Sequence, residues 1–318
     1  MKKVSIIIPF MGQNESVLAI PLSSINNQIG VNFSEIDVHL VNDGGPAIDV
    51  KKFDIFANLD LHYHQLTVNV GPGNARQYGI DHSEGEYVMF IDSDDELHFA
   101  GALLEFFNVV KGTGDHQLII GRYIEQYIIE NGEFRYLTHP GADWKAAYAK
   151  WFRRSYLAEK GLRFRPELRL FEDTYFVGLA CQLSTDIHYL DSVVYSWLYN
   201  ANSLVRKDGK AFEYQTHTWA LENRLYLEKI REMKPEDLKR DLNHYVCDVY
   251  MRFTRYPPAK PEAFWAEHTK LLQEFKEYWD GYTVLVQKQV DFMRDNPKGN
   301  WLGVNTDGFK AFVEKVSI

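Results

Sequence analysis

The apolar segment YVMFI ends abruptly in a run of acidic residues. Asp92, Asp94, Asp95 and Glu96 follow it within five positions, with Ser93 among them. Carboxylates this close repel one another, so a fold that gathers them usually uses them to hold a cation or to bind hydroxyl groups. A polar turn after a strand is the alternative interpretation, and the rest of the chain has to decide between the two.

Three further segments carry residues suited to phosphate or acid–base chemistry. VNDGG contains Asn42 and Asp43, and VNVGPGNARQYGI contains Gly71 and Arg76 in a glycine-rich turn that opens a helix. Backbone N–H groups at such a turn can bind phosphate, although the spacing is neither that of a P-loop nor a complete GxGxxG. A turn that simply needs glycine is the alternative. The third segment, LFEDTYF, places two adjacent carboxylates at a helix start.

The elements that must position these residues alternate regularly. VSIIIPF, IDVHLVND, LHYHQLTV and YVMFIDSD predict strands, and the spacing of apolar residues predicts helices over 15–28 and 73–82. Alternation of strands and helices predicts an α/β fold with a mostly parallel sheet and flanking helices. Ligands of such sheets bind beyond the carboxyl ends of the strands. We therefore expect the acidic clusters to share one edge of the sheet.

The remaining chain predicts a second set of elements. A helix over 100–110 precedes two strands joined by an Asn131-Gly132 hairpin turn, and helices over 144–160 and 172–183 precede the strand IHYLDSVVYSWLY. From about residue 210 the pattern is that of amphipathic helices, two of which are separated by Pro257-Pro258.

Composition excludes several classes of protein. The formal net charge of −9 over 318 residues argues against a nucleic-acid binder. The amino-terminal apolar run is too short for a signal peptide, and no stretch is apolar enough to span a bilayer. Cys181 and Cys247 lack metal-type spacing and are expected to be reduced thiols. We expect a cytoplasmic location, which leaves open the inner face of the membrane.

The order of these motifs resembles family 2 glycosyltransferases, which have a GT-A fold. The matching segments are VSIIIPF, VNDGG, NVGPGNARQYGI and GEYVMFIDSDD, followed by KWFRRSYLAEKGLRF and RPELRLFEDTYF. The resemblance covers roughly the first two-thirds of the chain. It implies a nucleotide-sugar half over 1–98, an acceptor half over 99–208, and a carboxyl-terminal helical region over 209–318.

The resemblance assigns the acidic run to the sugar donor. Asp92-Ser93-Asp94 corresponds to the family's Asp-x-Asp motif, in which a Mn²⁺ or Mg²⁺ ion bridges the diphosphate. Asp94 is expected to bind the metal, and Asp92 to lie near the ribose or the metal. Asp95 and Glu96 are interpreted as solvated carboxylates that cap the next helix.

It also implies the nucleotide-binding residues. Asp43 corresponds to an aspartate that hydrogen-bonds the base, commonly uracil, although this chain has Asn42-Asp43-Gly44-Gly45 where Asp-Asp-Gly-Ser is usual. Gly71 and Arg76 match residues near the nucleotide; for Arg76 a helix-surface ion pair is the alternative. Where the family commonly reads Pro-x-Tyr-Asn, this chain continues from Pro9 and Phe10 into MGQNE. Phe10 is expected either to pack on the base or to lie in the core.

The Glu172-Asp173 pair is the candidate for the chemical step. In this family it supplies the base that takes the proton of the acceptor hydroxyl, which points to Asp173, with Glu172 orienting the acceptor. Acidic residues are also favoured in the first turn of any helix, so capping is the alternative.

Three outlying residues complete the candidate site. Arg206 lies in a segment similar to one that approaches the diphosphate, and Trp197 belongs to an aromatic-rich stretch that could stack on a sugar. His217 could add a metal ligand, since His-plus-carboxylate sites occur in relatives. A surface arginine, a core tryptophan and an uncoordinated histidine are the respective alternatives.

The leading hypothesis is an inverting, metal-dependent glycosyltransferase that uses a UDP-sugar and a glycan or lipid-linked glycan as acceptor. The family implies a role in bacterial cell-surface polysaccharide assembly. A nucleotidyltransferase would want a basic loop after the first strand, which FMGQNES lacks. A non-catalytic nucleotide- or glycan-binding module is the other alternative. The carboxyl-terminal helices could pack on the core, form a homodimer or touch a membrane surface.

Overall fold

The computed structural model describes residues 2–201, 211–297 and 299–316. The described residues form two compact units, one up to Ala201 and one after it. The first unit combines a sheet with helices, and the second is helical. The boundaries expected at 98/99 and 208/209 stay predictions, and the second of them lies outside the described residues.

Four parallel strands form the first half of a nine-stranded mixed sheet. They are β1 (Val4–Phe10), β2 (Ile36–Asn42), β3 (Leu61–Gln65) and β4 (Tyr87–Phe90), in the spatial order β3-β2-β1-β4. All residues of β1 are buried, which explains why its sequence is a continuous apolar run rather than an alternating one. The four predicted strands of this half are confirmed.

The second half of the sheet is mostly antiparallel. Its strands are β5 (Glu96–Leu97), β6 (Leu118–Ile128), β7 (Phe134–Thr138), β8 (Lys150–Arg153) and β9 (Ile187–Trp197). β8 pairs antiparallel with both β4 and β6, and β9 runs parallel to β6. The β6–β7 hairpin is confirmed, and its turn uses Gly132 at a φ of +83°.

Helices cover both faces of this sheet. They are α1 (Glu15–Asn26), α2 (Pro72–Asp81), α3 (Ala102–Thr113), α4 (Arg154–Glu159) and α5 (Glu172–Gln182). Leu18 and Leu22 of α1 and Phe106 of α3 pack into one core with alternate residues of β1 and β2. On the opposite face α2 lies so close to β1 that a Cβ at Gly79 would be 2.5 Å from the Ile7 side chain. The predicted α/β fold is confirmed.

The helix expected over 144–160 is wrong. Residues 150–153 form β8, and only Arg154–Glu159 are helical. Ala149 has a φ of +57°, which a helix cannot contain. The helix-like spacing of this segment gives way to pairing with the open edges of β4 and β6, because a strand there completes the sheet.

The second unit consists of helices with an aromatic core. The helices are α6 (Ala211–Met233), α7 (Pro235–Arg255), α8 (Pro261–Glu274), α9 (Val284–Asp295) and α10 (Phe309–Val316). Phe253, Phe264, Trp265 and Phe312 stack around one another where α7, α8 and α10 meet. The predicted carboxyl-terminal helices are confirmed. Among the described helices none has the length and apolarity needed to cross a bilayer.

Candidate active site

The carboxyl ends of β1 and β2 lie side by side with the end of β4. Phe10 and Asn42 are partners in the β1–β2 register, and Ile7 pairs with Phe90 of β4. The Asp43 N–H donates to the Phe10 carbonyl at 2.7 Å, which fixes the chain beyond β2 against β1. The segments that follow β2 and β4 therefore start from one edge of the sheet, as the parallel topology requires.

Hydrogen bonds from β9 and from the residue that follows it fix the acidic turn after β4. Asp95 is 1% exposed, and its carboxylate accepts hydrogen bonds from the Tyr195 hydroxyl (2.7 Å) and the Leu198 N–H (2.8 Å). Burial, reinforced by the nearby Asp92 carboxylate, raises the pKa of Asp95 well above its ordinary value. The interpretation of Asp95 and Glu96 as solvated helix caps is wrong, because Asp95 is buried and Glu96 begins β5.

The other two aspartates of the turn face the sheet edge. Asp92 Oδ1 accepts from Arg76 Nη2 at 2.8 Å, and Asp94 Oδ2 accepts from the Asn200 amide at 2.6 Å. Both side chains are partly exposed, whereas Ser93 between them is buried. Each aspartate thus uses one oxygen to fix its position, and the second oxygen has no hydrogen bond within the described part of the chain.

Arg76 joins three carboxylates from distant parts of the sequence. Its guanidinium donates through Nη2 to Asp92 and through Nη1 to Glu172 (3.2 Å) and Asp173 (2.7 Å). The arginine is 4% exposed and lies over the ring of Phe164. Burial opposes its charge, but the three carboxylates outweigh burial and raise the pKa of Arg76 further. The alternative of a helix-surface ion pair is wrong, because the pair is buried.

The Glu172-Asp173 pair lies in the first turn of α5. Burial, together with the neighbouring Asp173, raises the pKa of Glu172 to about 8. Burial also raises the pKa of Asp173, and Arg76 acts against that shift. The two carboxyl groups therefore titrate as a coupled pair, and burial favours the state in which they share a proton. Asp173 is the more exposed side chain, which suits a group that must reach a ligand.

Strained backbone precedes this pair and also the buried Lys150. Phe171, the residue before Glu172, has a φ of +63°, and Ala149, before Lys150, has a φ of +57°. A left-handed conformation is unfavourable for a residue with a side chain, and such residues concentrate at functional sites. Lys150 is completely buried, and burial lowers its pKa although Asp143 opposes that shift. The strain therefore supports a functional interpretation of the site rather than simple helix capping.

The predicted nucleotide-binding residues connect the segments at the carboxyl edge of the sheet. The Asp43 carboxylate accepts from the N–H groups of Val70 (2.7 Å) and Gly71 (2.9 Å), so it ties the glycine-rich turn to β2. Gly71 has a φ of +92° and caps α2. The Asn42 amide donates to the Pro46 carbonyl at 2.8 Å and is fully buried.

Phe10 packs in the core, which is one of the two positions expected for it. Pro9 precedes it within β1. These hydrogen bonds and packing contacts do not show which residues touch a nucleotide base. The roles of Pro9, Asn42, Asp43 and Gly71 in nucleotide binding stay predictions.

The outlying candidates are placed as follows. Trp197 ends β9, one residue before the Leu198 N–H that binds Asp95, so it lies beside the acidic turn. His217 lies on α6 in the second unit, where its buried Nδ1 has no hydrogen-bond partner among the described residues. Arg206 lies outside the described residues. Their roles also stay predictions.

Two residues that hold the acidic turn have roles that the sequence did not predict. Tyr195, expected only as one of several aromatic residues that could stack on a sugar, donates to Asp95 and accepts from the Asp92 N–H (3.1 Å). Asn200, which holds Asp94, was not singled out. The signals were weak, because a tyrosine and an asparagine near the end of a strand are common.

Comparison with known proteins agrees with this geometry. Residues 5–174 match the model of the family described as glycosyl transferase family 2. The chain is 30% identical over 193 residues to the poly(ribitol-phosphate) beta-N-acetylglucosaminyltransferase TarP of Staphylococcus aureus, which is 55% of this chain and 56% of TarP. It is also 30% identical over 136 residues to the amylovoran biosynthesis glycosyltransferase AmsB of Erwinia amylovora, or 41% of this chain and 43% of AmsB. The chain thus matches about half the length of these relatives.

Solved structures show the same fold. The crystal structure of S. aureus TarS 1-349 in complex with UDP-GlcNAc matches with a TM-score of 0.68 at 17% identity, over 100% of this chain and 90% of that one. The fold is therefore the GT-A fold, with carboxyl-terminal helices. Because the family model spans more than half of the chain and includes the acidic turn, Arg76 and the Glu172-Asp173 pair, this protein is a member of glycosyl transferase family 2.

Proposed function

We propose that this protein is an inverting glycosyltransferase that moves a sugar from a UDP-sugar to a hydroxyl group of a glycan or lipid-linked glycan. UDP-N-acetylglucosamine is the first donor to test, because the relative TarP is named as an N-acetylglucosaminyltransferase and TarS has been solved with UDP-GlcNAc. The names of TarP and AmsB favour a cell-surface polymer as the acceptor.

One observation carries this proposal: a single guanidinium holds the carboxylate of the acidic turn and the acidic pair of α5. Arg76 contacts Asp92, 16 positions later in the sequence, and Asp173, 97 positions later. A sugar transferase needs a diphosphate site and a base on opposite sides of the reacting carbon. Arg76 fixes the two sets of carboxylates relative to each other before a substrate binds.

The chemical step follows from these positions. Asp173 accepts the proton of the acceptor hydroxyl while that oxygen attacks the anomeric carbon from the face opposite the diphosphate. The bond between the anomeric carbon and the diphosphate oxygen breaks, and its electron pair leaves with the diphosphate. Burial brings the pKa of Asp173 above its ordinary value and so strengthens it as a base. Burial raises the pKa of the neighbouring Glu172 to about 8, and in its protonated form Glu172 is able to donate a hydrogen bond to the acceptor or to Asp173.

The residues of the turn fit a divalent cation. Mg²⁺ and Mn²⁺ bind hard oxygen ligands, and nucleotide enzymes often hold Mg²⁺ by one or two carboxylates plus phosphate oxygens. Asp94 and Asp92 each keep one oxygen without a hydrogen bond in the described residues, and both are partly exposed. The ion would neutralise charge that develops on the leaving diphosphate.

The test is the slow hydrolysis of UDP-N-acetylglucosamine, with water as the acceptor, followed by NMR of the anomeric proton. An inverting enzyme releases the β-anomer first from this α-linked donor. Asp173→Asn should lower the rate roughly 100-fold or more, the usual contribution of a general base. Glu172→Gln is the matched control and should lose much less. Release of the α-anomer, or an unchanged rate in Asp173→Asn, would contradict the proposed mechanism.

A further inference from the structure

A second cluster of ligand-type side chains lies on the same sheet, away from the donor site. β2 and β3 are parallel neighbours, and His39 is paired with His62 in their register. Side chains two positions apart share a face of a strand, so Asp37 lies beside His39 and His64 beside His62. Asp37 is six positions before Asp43, which puts it roughly 20 Å from the carboxyl edge of the sheet.

Three of these side chains are close enough to share one metal ion. One ligand atom each from Asp37, His39 and His62 lies within 4.8 Å of the other two, and no other such three-residue group occurs in the described residues. Asp37 Oδ2 and His39 Nε2 are 3.2 Å apart. Ligands of tetrahedral zinc are separated by roughly 3.3 Å, given Zn–N distances near 2.0–2.1 Å. The His39 and His62 rings are stacked, with centroids 4.9 Å apart and an interplanar angle of 13°, so the half-exposed His62 ring has to rotate to complete the set.

Asp37 has an unsatisfied oxygen in this cluster. The residue is 5% exposed, and its Oδ1 accepts no hydrogen bond from the described residues. The neighbouring Arg154 directs its N–H groups to Gly85, Ile80 and Ser83 instead. A buried carboxylate oxygen without a hydrogen bond calls for an explanation.

The outer nitrogen atoms of both histidines have partners. His39 Nδ1 is 3.0 Å from His64 Nε2, and His62 Nε2 is 3.2 Å from the Asp60 carboxylate. In the tautomer that carries its hydrogen on Nδ1, His39 donates a hydrogen bond to His64 Nε2 and presents the lone pair of its own Nε2 to a metal ion. Metal-binding histidines generally donate their second N–H to such a partner, which fixes the ring and its tautomer. Lys2 forms an ion pair with Asp60 at 2.6 Å.

We propose that Asp37, His39 and His62 bind a divalent transition-metal ion of the zinc class, with water in the remaining position. Imidazole nitrogens favour Zn²⁺ over Mg²⁺ or Mn²⁺, so this site and the acidic turn differ in the ion that they select. Within the described part of the chain β3 lies at the edge of the sheet, with β2 as its one neighbouring strand. The ion fastens this five-residue edge strand to β2.

The test uses the full chain after chelation. Co²⁺ is titrated into the protein and followed by its visible absorption, and Zn²⁺ binding is measured by calorimetry. The proposal predicts one tight site with tetrahedral Co²⁺ bands, at least tenfold weaker binding in His62→Ala, and a thermal midpoint that Zn²⁺ raises in the wild type but not in this variant. His244→Ala, an exposed histidine on α7, is the matched control and should bind as the wild type does.

Two further variants distinguish this site from the acidic turn and guard against misfolding of the alanine variant. Asp94→Asn should retain the Co²⁺ bands, which separates this site from the acidic turn. His62→Gln, which can still bond to Asp60, replaces the alanine variant if that protein does not fold. Absence of Co²⁺ bands at one equivalent, or equal binding by the His62 and His244 variants, would overturn the proposal. The cluster would then be a hydrogen-bonded Asp–His–His chain with no metal.

Discussion

At the scale of single residues, the site depends on Arg76. Its guanidinium is the cation that contacts Asp92, Glu172 and Asp173, and all four groups are wholly or partly withdrawn from water. Removing one partner from a buried ion cluster leaves the others uncompensated, which costs more than the cluster contributes when intact. Lysine cannot replace Arg76, because it lacks the planar guanidinium group whose two terminal nitrogen atoms donate to different carboxylates.

Arg76→Gln should therefore lower the free energy of unfolding by about 3–5 kcal/mol, the usual cost of breaking a buried pair. Urea denaturation measures this loss. Arg163→Gln is the matched control, because that arginine forms an exposed ion pair with Asp81 and should cost at most about 1 kcal/mol. Equal losses in the two variants would show that Arg76 does not hold the carboxylates together.

The residues of this cluster were predicted from the sequence, but their mutual contact was not. Asp92 and Asp173 were each assigned from a motif and its place in the chain order. The bonds that Arg76 makes to both depend on how α2, β4 and α5 meet, and no local pattern encodes that. Asp95 was misjudged for the same reason: its burial comes from β9, about a hundred positions away.

At the scale of elements, α2 and α5 approach each other at the site. Gly73 lies in the first turn of α2, and a Cβ there would be 2.6 Å from Glu172 Cγ and 3.1 Å from the Phe164 ring. The missing side chain thus makes room for the acidic pair. Alanine favours a helix over glycine by about 1 kcal/mol, so local propensity and site geometry make opposite demands at this position.

Gly73→Ala should reduce donor hydrolysis at least tenfold, because the new methyl group displaces Glu172 and with it Asp173. The rate is measured with saturating UDP-sugar, and circular dichroism checks the fold. Gly112→Ala in α3 is the control: a Cβ there meets nothing within 4 Å, so this variant should keep its activity and gain up to about 1 kcal/mol in stability. An active Gly73→Ala enzyme would argue against tight packing of α2 on α5.

Most elements were predictable because their sequence signals are strong and local. β1 is a continuous apolar run, and the Asn131-Gly132 turn specifies its hairpin. The segment over 144–160 was not predictable, since its helical spacing is overridden by pairing of β8 with β4 and β6. Sheet completion is a non-local effect, and it decided the structure there.

At the scale of the whole molecule, buried carboxyl groups make stability depend on pH. Glu222 in α6 is 3% exposed, and burial raises its pKa from 4.5 to about 8, with Arg252 opposing the shift. The unfolded chain therefore releases this proton first as the pH rises. The contribution of Glu222 to stability is complete below pH 4.5 and is lost as the pH rises towards 8.

Glu222→Gln should flatten this dependence. Urea unfolding followed at 222 nm, where helices dominate the signal, should show the wild type losing up to about 1.4 kcal/mol per pH unit from this group between pH 5 and 8. The glutamine variant should lack that component. Glu277→Gln, at an exposed position, should leave the wild-type slope unchanged. A slope that survives in Glu222→Gln would place its origin in another group.

The most direct test of the proposed function is calorimetry of UDP binding with Mn²⁺ and then with EDTA. UDP binding is expected to require the metal and to be lost in Asp94→Asn. It should persist in Asp173→Asn, because Asp173 acts on the acceptor rather than on the nucleotide. UDP binding that is unaffected by EDTA and by Asp94→Asn, or no binding of UDP at all, would contradict the assignment of the acidic turn to the metal and the donor diphosphate.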